Sequence, residues 1–131
     1  MTKKYAFISV FPEIFVPFSK SGIVKKATDS GLIQIKSFNP RDFLSNKDRI
    51  DDKVYGGGPG MVFKSEPIRK CINHAKDTFS GSSKVIHLSA SGETFSAQIA
   101  RELSKEDSLI FLSSRYEGLD QRVIDAEVDM E

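Results

Sequence analysis

Apolar positions fall into short runs separated by polar, proline- and glycine-marked stretches, and the spacing within each run identifies the element it builds. Residues 5–11, Tyr-Ala-Phe-Ile-Ser-Val-Phe, are almost continuously apolar, aromatic or β-branched, and Pro12 ends the run. That pattern predicts a strand buried on both faces. Pro12-Glu13 then opens a helix that Pro17 interrupts, and a second helical stretch over 22–30 closes at Gly31, a residue suited to a C-terminal cap. Over 32–38, Leu, Ile and Ile alternate with Gln and Lys, which predicts a second strand.

Residues 39–60 show no usable periodicity. An irregular stretch of that length in a compact domain is usually functional or disordered, so it is the first place to look for a site. Ser65 can cap the next helix, whose first turn holds Glu66 and Pro67 and whose apolar stripe is Ile68, Ile72, Ala75 and Phe79. Cys71 lies beside that stripe with no His placed to activate it, and reads as a buried structural thiol. Lys84–Leu88 is a third strand. A loop over 89–94 leads to a helix carrying Phe95, Ile99 and Leu103, residues 109–112 form a fourth strand, and a loop over 113–120 leads to a helix over 121–128. His87 falls mid-strand and His74 on a polar helix face, both structural positions. Strand and helix alternate throughout, so the expected fold is α/β, a mostly parallel sheet with helices on both faces.

Composition narrows the class. At 131 residues, 39% hydrophobic and 28% charged, the chain is the size of one globular domain spanning 1–131. Nineteen basic and eighteen acidic residues leave a net charge of +1, without the overall footprint of a strong nucleic-acid binder, so any RNA contact must be local or lie outside this chain. The single cysteine cannot pair internally, which fits a reducing, cytoplasmic setting, and two scattered histidines offer no zinc-ligand spacing, so no metal is expected. The Lys3-Lys4 start resembles that of a signal peptide, but its apolar run is too short and lacks a small-residue cleavage site. Nothing approaches the length of a membrane-spanning helix, and no membrane association is expected.

In open parallel sheets, ligands bind outside the carboxyl ends of the strands. Three loops qualify: 39–60, 89–94 and 113–120. The first contains Tyr55-Gly56-Gly57-Gly58-Pro59-Gly60-Met61, whose missing side chains let backbone amides approach a ligand, but it lacks both the P-loop ending and the dinucleotide spacing. A tight structural turn explains it as well as a binding loop does. Before it, Lys47, Asp48, Arg49, Asp51, Asp52 and Lys53 mix charges that can clamp phosphates or accept from a base, or that simply face solvent. The last loop holds Ser114-Arg115-Tyr116-Glu117-Gly118. A Tyr ring can stack on a purine and Glu117 can accept from a ribose or an amino group.

Together these blocks resemble one family. Phe11-Pro12-Glu13-Ile14-Phe15, Arg41-Asp42-Phe43, Asp51-Asp52, Tyr55 through Met61 and Arg115-Tyr116-Glu117-Gly118, in this order and over nearly the whole chain, resemble the bacterial tRNA (guanine-N1)-methyltransferases. The resemblance implies a knotted α/β domain of the SPOUT class, with the knot either complete or incomplete within these residues, working as a homodimer. It implies an enzyme that moves a methyl group from S-adenosylmethionine to N1 of the guanosine 3′ of the anticodon in tRNA. By analogy, Leu88, Ser89, Gly92, Ser114, Tyr116, Glu117 and Gly118 line the cofactor, and Arg49, Asp51, Asp52, Gly57, Gly58, Pro59 and Gly60 lie near the substrate tRNA. The family usually carries Ser-Pro-Gln-Gly where this chain has Ser89-Ala90-Ser91-Gly92, and Cys-Gly where it has Ser113-Ser114. Family members continue beyond the counterpart of Glu131 into a Gly-rich loop and a helical domain, where the catalytic Asp and a supporting Arg are expected. No catalytic residue is therefore expected within these 131, with Glu117 in a supporting role at most. Two rival readings are a non-catalytic knot domain that only dimerises or binds RNA or nucleotide, and a generic nucleotide-binding α/β protein.

Overall fold

The computed structural model describes residues 2–44, 51–53, 61–63, 65–89, 92–113 and 121–131. Its centre is a four-stranded, all-parallel sheet built from β1 (Lys3–Ile8), β2 (Ile33–Phe38), β5 (Lys84–Leu88) and β6 (Ser108–Ser113) in the order β2-β1-β6-β5. Two three-residue strands, β3 (Asp51–Lys53) and β4 (Met61–Phe63), form a separate antiparallel pair. The helices are α1 (Val16–Ser19), α2 (Gly22–Asp29), α3 (Ser65–Phe79), α4 (Ala97–Leu103) and α5 (Gln121–Glu127).

Alternate residues of β1 supply the two halves of the core. Ala6, Ile8 and Val10 face the α3 stripe of Ile68, Cys71, Ile72, Ala75 and Phe79, together with Val85, Ile110 and Leu112, while Ile124 and Val128 bring α5 against the same cluster. On the other face, Tyr5, Leu109, Phe111 and Ile86 meet Ile99 and Leu103 of α4. There the Phe7 ring stacks on Phe15 at 4.4 Å and on Phe111 at 5.5 Å, so the segment entering α1 covers that face beside α4. The expected parallel sheet with helices on both faces is the architecture found.

Several boundaries differ from the expectation for local reasons. The first strand runs Lys3–Ile8 and not to Phe11; the Ser9 amide still donates to the Phe38 carbonyl at 3.1 Å before the chain turns away. Pro17 does not interrupt a helix. It occupies the first turn of α1, where a missing N–H costs nothing, and the chain breaks instead at Lys20-Ser21. Gly31 closes α2 as expected: at φ 79° it allows its own amide to reach the Thr28 carbonyl and the Leu32 amide to reach that of Ala27, the two bonds of a Schellman cap. The 39–60 stretch is less irregular than its sequence suggests. A 3-10 turn over Pro40–Phe43, nucleated by the Asn39 side chain accepting from the Arg41 amide, precedes β3, and both pieces are too short to leave a periodicity. Phe95 is not on α4: Ser96 caps that helix by accepting from the Ile99 amide, which leaves Phe95 outside it and 70% exposed.

Cys71 and the two histidines hold structural positions. Burial pushes the Cys71 thiol up to about 12, and the Asp42 carboxylate adds to the effect. The thiol therefore stays protonated near neutrality. Iodoacetamide at pH 8 is expected to label the native protein slowly and the denatured protein rapidly; prompt native labelling would contradict this placement. The unfolded thiol ionises near its ordinary 9.0. The stability it contributes is therefore intact below about pH 9 and declines as pH rises towards 12. His74 sets its ring against Phe38 and Phe43, and His87 is 3% exposed with Nδ1 at 2.8 Å from a Glu131 carboxylate oxygen.

Candidate functional site at the carboxyl edge of the sheet

Parallel pairing places the ends of all four central strands on one edge. Ile8 is in register with Phe38 and with Leu112, and Leu88 with Ser113, so the chain leaves β1, β2, β5 and β6 at nearly one level. The loops singled out after the second, third and fourth predicted strands therefore depart from the same edge. They do not depart from the same point. Leu88 and Ser113 are neighbours across one strand spacing, whereas β2 lies three spacings from β5, roughly 14 Å at about 4.8 Å each.

The strand order adds a position that the sequence could not show. The connection from β1 runs to β2 over the face carrying Phe7 and Phe15, whereas β6 is followed by α5 on the opposite face. The gap between β1 and β6 is thus the point where the winding reverses, the place where α/β sheets open a crevice. On the β1 side it is bordered by Ser9, whose Oγ accepts from the Phe11 amide at 3.1 Å and fixes the turn. On the other side it is bordered by Ser113, the last residue of β6.

At the end of β5, Leu88 is 51% exposed, an unusual position for a leucine that ends a core strand. Ser89 begins a tight turn in which the Gly92 amide donates to the Ser89 carbonyl at 3.2 Å. Gly92 is required by packing. A Cβ there would sit 2.5 Å from the Glu131 carbonyl carbon and 2.8 Å from its oxygen. The same stretch holds the tail: the Glu93 amide donates to the Glu131 carbonyl at 3.1 Å, and the His87 amide to that of Met130 at 2.9 Å. Residues 129–131 therefore run along the free edge of β5, with Met130 bridging Ile86 in parallel.

Asp51 and Asp52 lie on β3, opposite Phe63 and Val62. Arg49, Gly57, Gly58, Pro59, Gly60, Ser114, Tyr116, Glu117 and Gly118 lie outside the described residues. A cavity of about 410 Å³ opens at the opposite, amino-terminal edge of the sheet, lined by Thr2, Lys4, Ser80, Ser82, Asp107 and Ser108, well away from these loops. Among the described residues, no group of three or more His, Cys, Asp or Glu side chains is placed to hold a metal ion, and no helix is long and apolar enough to cross a membrane.

The family described as tRNA (Guanine-1)-methyltransferase TrmD matches residues 3–131, nearly the entire chain. The chain belongs to this family. Among similar family members, the tRNA (guanine-N(1)-)-methyltransferase of Pseudoalteromonas atlantica is 42% identical over 128 residues, which cover 97% of this chain and 48% of that protein. The protein of the same name from Photobacterium profundum is 44% identical over 125 residues, 95% of this chain and 50% of its own length. The crystal structure of tRNA (m1G37) methyltransferase from Aquifex aeolicus superimposes with a TM-score of 0.90 at 34% identity, covering 100% of this chain and 59% of that one. The SPOUT-class fold expected from the resemblance is therefore the fold observed. The chain spans about half the length of the curated family members it matches.

Proposed function

We propose that this chain is the cofactor-binding part of a tRNA (guanine(37)-N1)-methyltransferase, which uses S-adenosylmethionine to methylate N1 of the guanosine 3′ of the anticodon. The observation that carries the reading is family membership over residues 3–131 combined with an all-parallel sheet whose loops leave one edge. The setting proposed is the cytoplasm, where tRNA is the substrate.

The residues at that edge fit such a ligand chemically. Leu88, half exposed at the end of β5, offers apolar surface to an adenine face, and Ser113, its cross-strand partner, and Ser89, which follows it, carry hydroxyls able to hydrogen-bond. The turn at Gly92 fixes where that strand end stops, because the Glu131 backbone packs behind it. Ser114, Tyr116, Glu117 and Gly118 follow β6 directly and are proposed to complete the cofactor pocket. Arg49, Asp51, Asp52, Gly57, Gly58, Pro59 and Gly60 are proposed to meet the tRNA. S-adenosylmethionine supplies an electrophilic methyl group. Guanine N1 holds its proton at neutral pH, so a base must take it, and none of these 131 residues is assigned that role. The knot and the homodimer belong to the same proposal; Ile14 and Phe18, 61% and 51% exposed after β1, are apolar surface that a second copy can cover.

The test is direct. Full-length protein, supplied with labelled S-adenosylmethionine and a tRNA carrying guanosine 3′ of the anticodon, should yield N1-methylguanosine at that position and none when the base is changed to adenosine. Absence of the product together with absence of donor binding would reject the reading. A Glu117→Ala variant should lose kcat/KM by roughly 10- to 100-fold, the worth of one hydrogen bond to a charged group at about 1.5–3 kcal/mol. Unchanged kinetics would remove Glu117 from the pocket.

A further inference from the structure

The near-zero net charge of the chain conceals a strong division. Through Arg41 there are seven basic and two acidic residues, net +5; after it there are twelve basic and sixteen acidic, net −4. The fold turns that division into geometry. Residues 2–41 build β1, α1, α2 and β2, with β2 forming one edge of the sheet, whereas Glu93, Asp129 and Glu131 lie by the other edge at β5, where Glu131 meets His87. Charge asymmetry of this kind points to a polyanionic partner.

On the basic flank, Lys20, Lys26, Lys36 and Arg41 are exposed, and none of them makes an ion pair among the described residues. Lys25 differs, being held by Asp29 at 2.6 Å. Lys36 sits near the carboxyl end of β2, opposite Ala6 in register, and Arg41 lies just beyond that end in the 3-10 turn. Both therefore border the edge that carries the candidate site, on its β2 side. A lone lysine on an edge strand is explained by protection against strand pairing. Four exposed cations on one flank that make no ion pair among the described residues are not.

Resting on the proposed function, we infer that the β2 flank, led by Lys36 and Arg41, receives the phosphodiester backbone of the RNA substrate and orients it across the carboxyl edge. These side chains position RNA and take no part in the chemistry.

The experiment compares full-length wild type with a Lys36→Glu/Arg41→Glu variant, and with a Glu93→Gln/Glu102→Gln control on the other flank. tRNA affinity is followed from 50 to 200 mM salt. The basic-flank variant should bind about tenfold or more weakly at 100 mM salt, with the slope of log Kd against log salt flattened by roughly 0.7–0.9 per cation lost. In turnover the loss should appear in KM and not in kcat. The control should match wild type in both. If wild type methylates tRNA and the variant retains its affinity and salt slope, the inference is overturned while the enzymatic reading stands. A wild type that neither binds nor methylates tRNA defeats that reading first, and this inference with it. Should the variant instead change the association state in light scattering with RNA affinity unaltered, the flank is a contact between copies and the inference is again overturned.

Discussion

Replacing Phe79 with alanine is expected to destabilise the domain by about 3–5 kcal/mol, measured as a lowered denaturant midpoint. Phe79 is the largest fully buried side chain among the described residues, 1% exposed, and it belongs with Val85 and Ile110 to the cluster that the α3 stripe closes. It stands at the last turn of α3, where its carbonyl also accepts from the Lys4 ammonium at 2.9 Å. A ring-sized void at that point removes contacts with α3 and with the sheet together, and the hydrogen bond that the Phe79 carbonyl accepts from the Lys4 ammonium gives the helix end little freedom to collapse into it. A loss below about 1 kcal/mol would mean that the core is less tightly packed than described.

The second large effect is expected from Gly92→Ala. A methyl group placed 2.5 Å from the Glu131 carbonyl carbon must displace backbone, since no flexible side chain is there to give way. Overpacking of this kind costs about 1–3 kcal/mol. The displacement is directional. The tail moves off β5, so hydrogen exchange should quicken at the His87 and Glu93 amides, whose acceptors are Met130 and Glu131, while the Ala6 and Ile110 amides at the centre of the sheet keep their protection. Equal exchange at all four positions in the variant and in wild type would show that the tail is not held as described. On the proposed function, titration of the same variant with S-adenosylmethionine should show weaker binding, because the turn at the end of β5 would be rebuilt.

Most of the fold could be read from the chain because its elements are long enough to show a period. Ile68, Ile72, Ala75 and Phe79 were assigned to one helix face by spacing alone, and all four are buried. Lys84–Leu88 was bounded correctly because apolar residues stop sharply at Ser89. What escaped was short or non-local. Three-residue strands such as Asp51–Lys53 carry no repeat, and the placement of Phe95 depended on which serine accepts from which amide. The candidate site was legible as a set of loops after strands, and as motifs. It was not legible as a strand order. Nothing in residues 1–131 announces that β1 lies beside β6, and so the reversal point at Ser9 and the partnership of Gly92 with Glu131 appear only in three dimensions.

The place of β1 at the centre of the sheet bears on how the protein comes into being. Within this chain β1 is made before every other strand of the sheet, yet it is hydrogen-bonded to Ser108–Ser113, about a hundred residues later in synthesis. Until those residues emerge, the nascent chain can offer Ala6 and Ile8 only the β2 side and no opposite neighbour. Such long-range pairing makes folding slow and leaves an apolar strand open to other chains meanwhile. Expression at lower temperature, or with chaperones that shield apolar segments, should therefore raise the soluble yield more than any substitution made in residues 121–131.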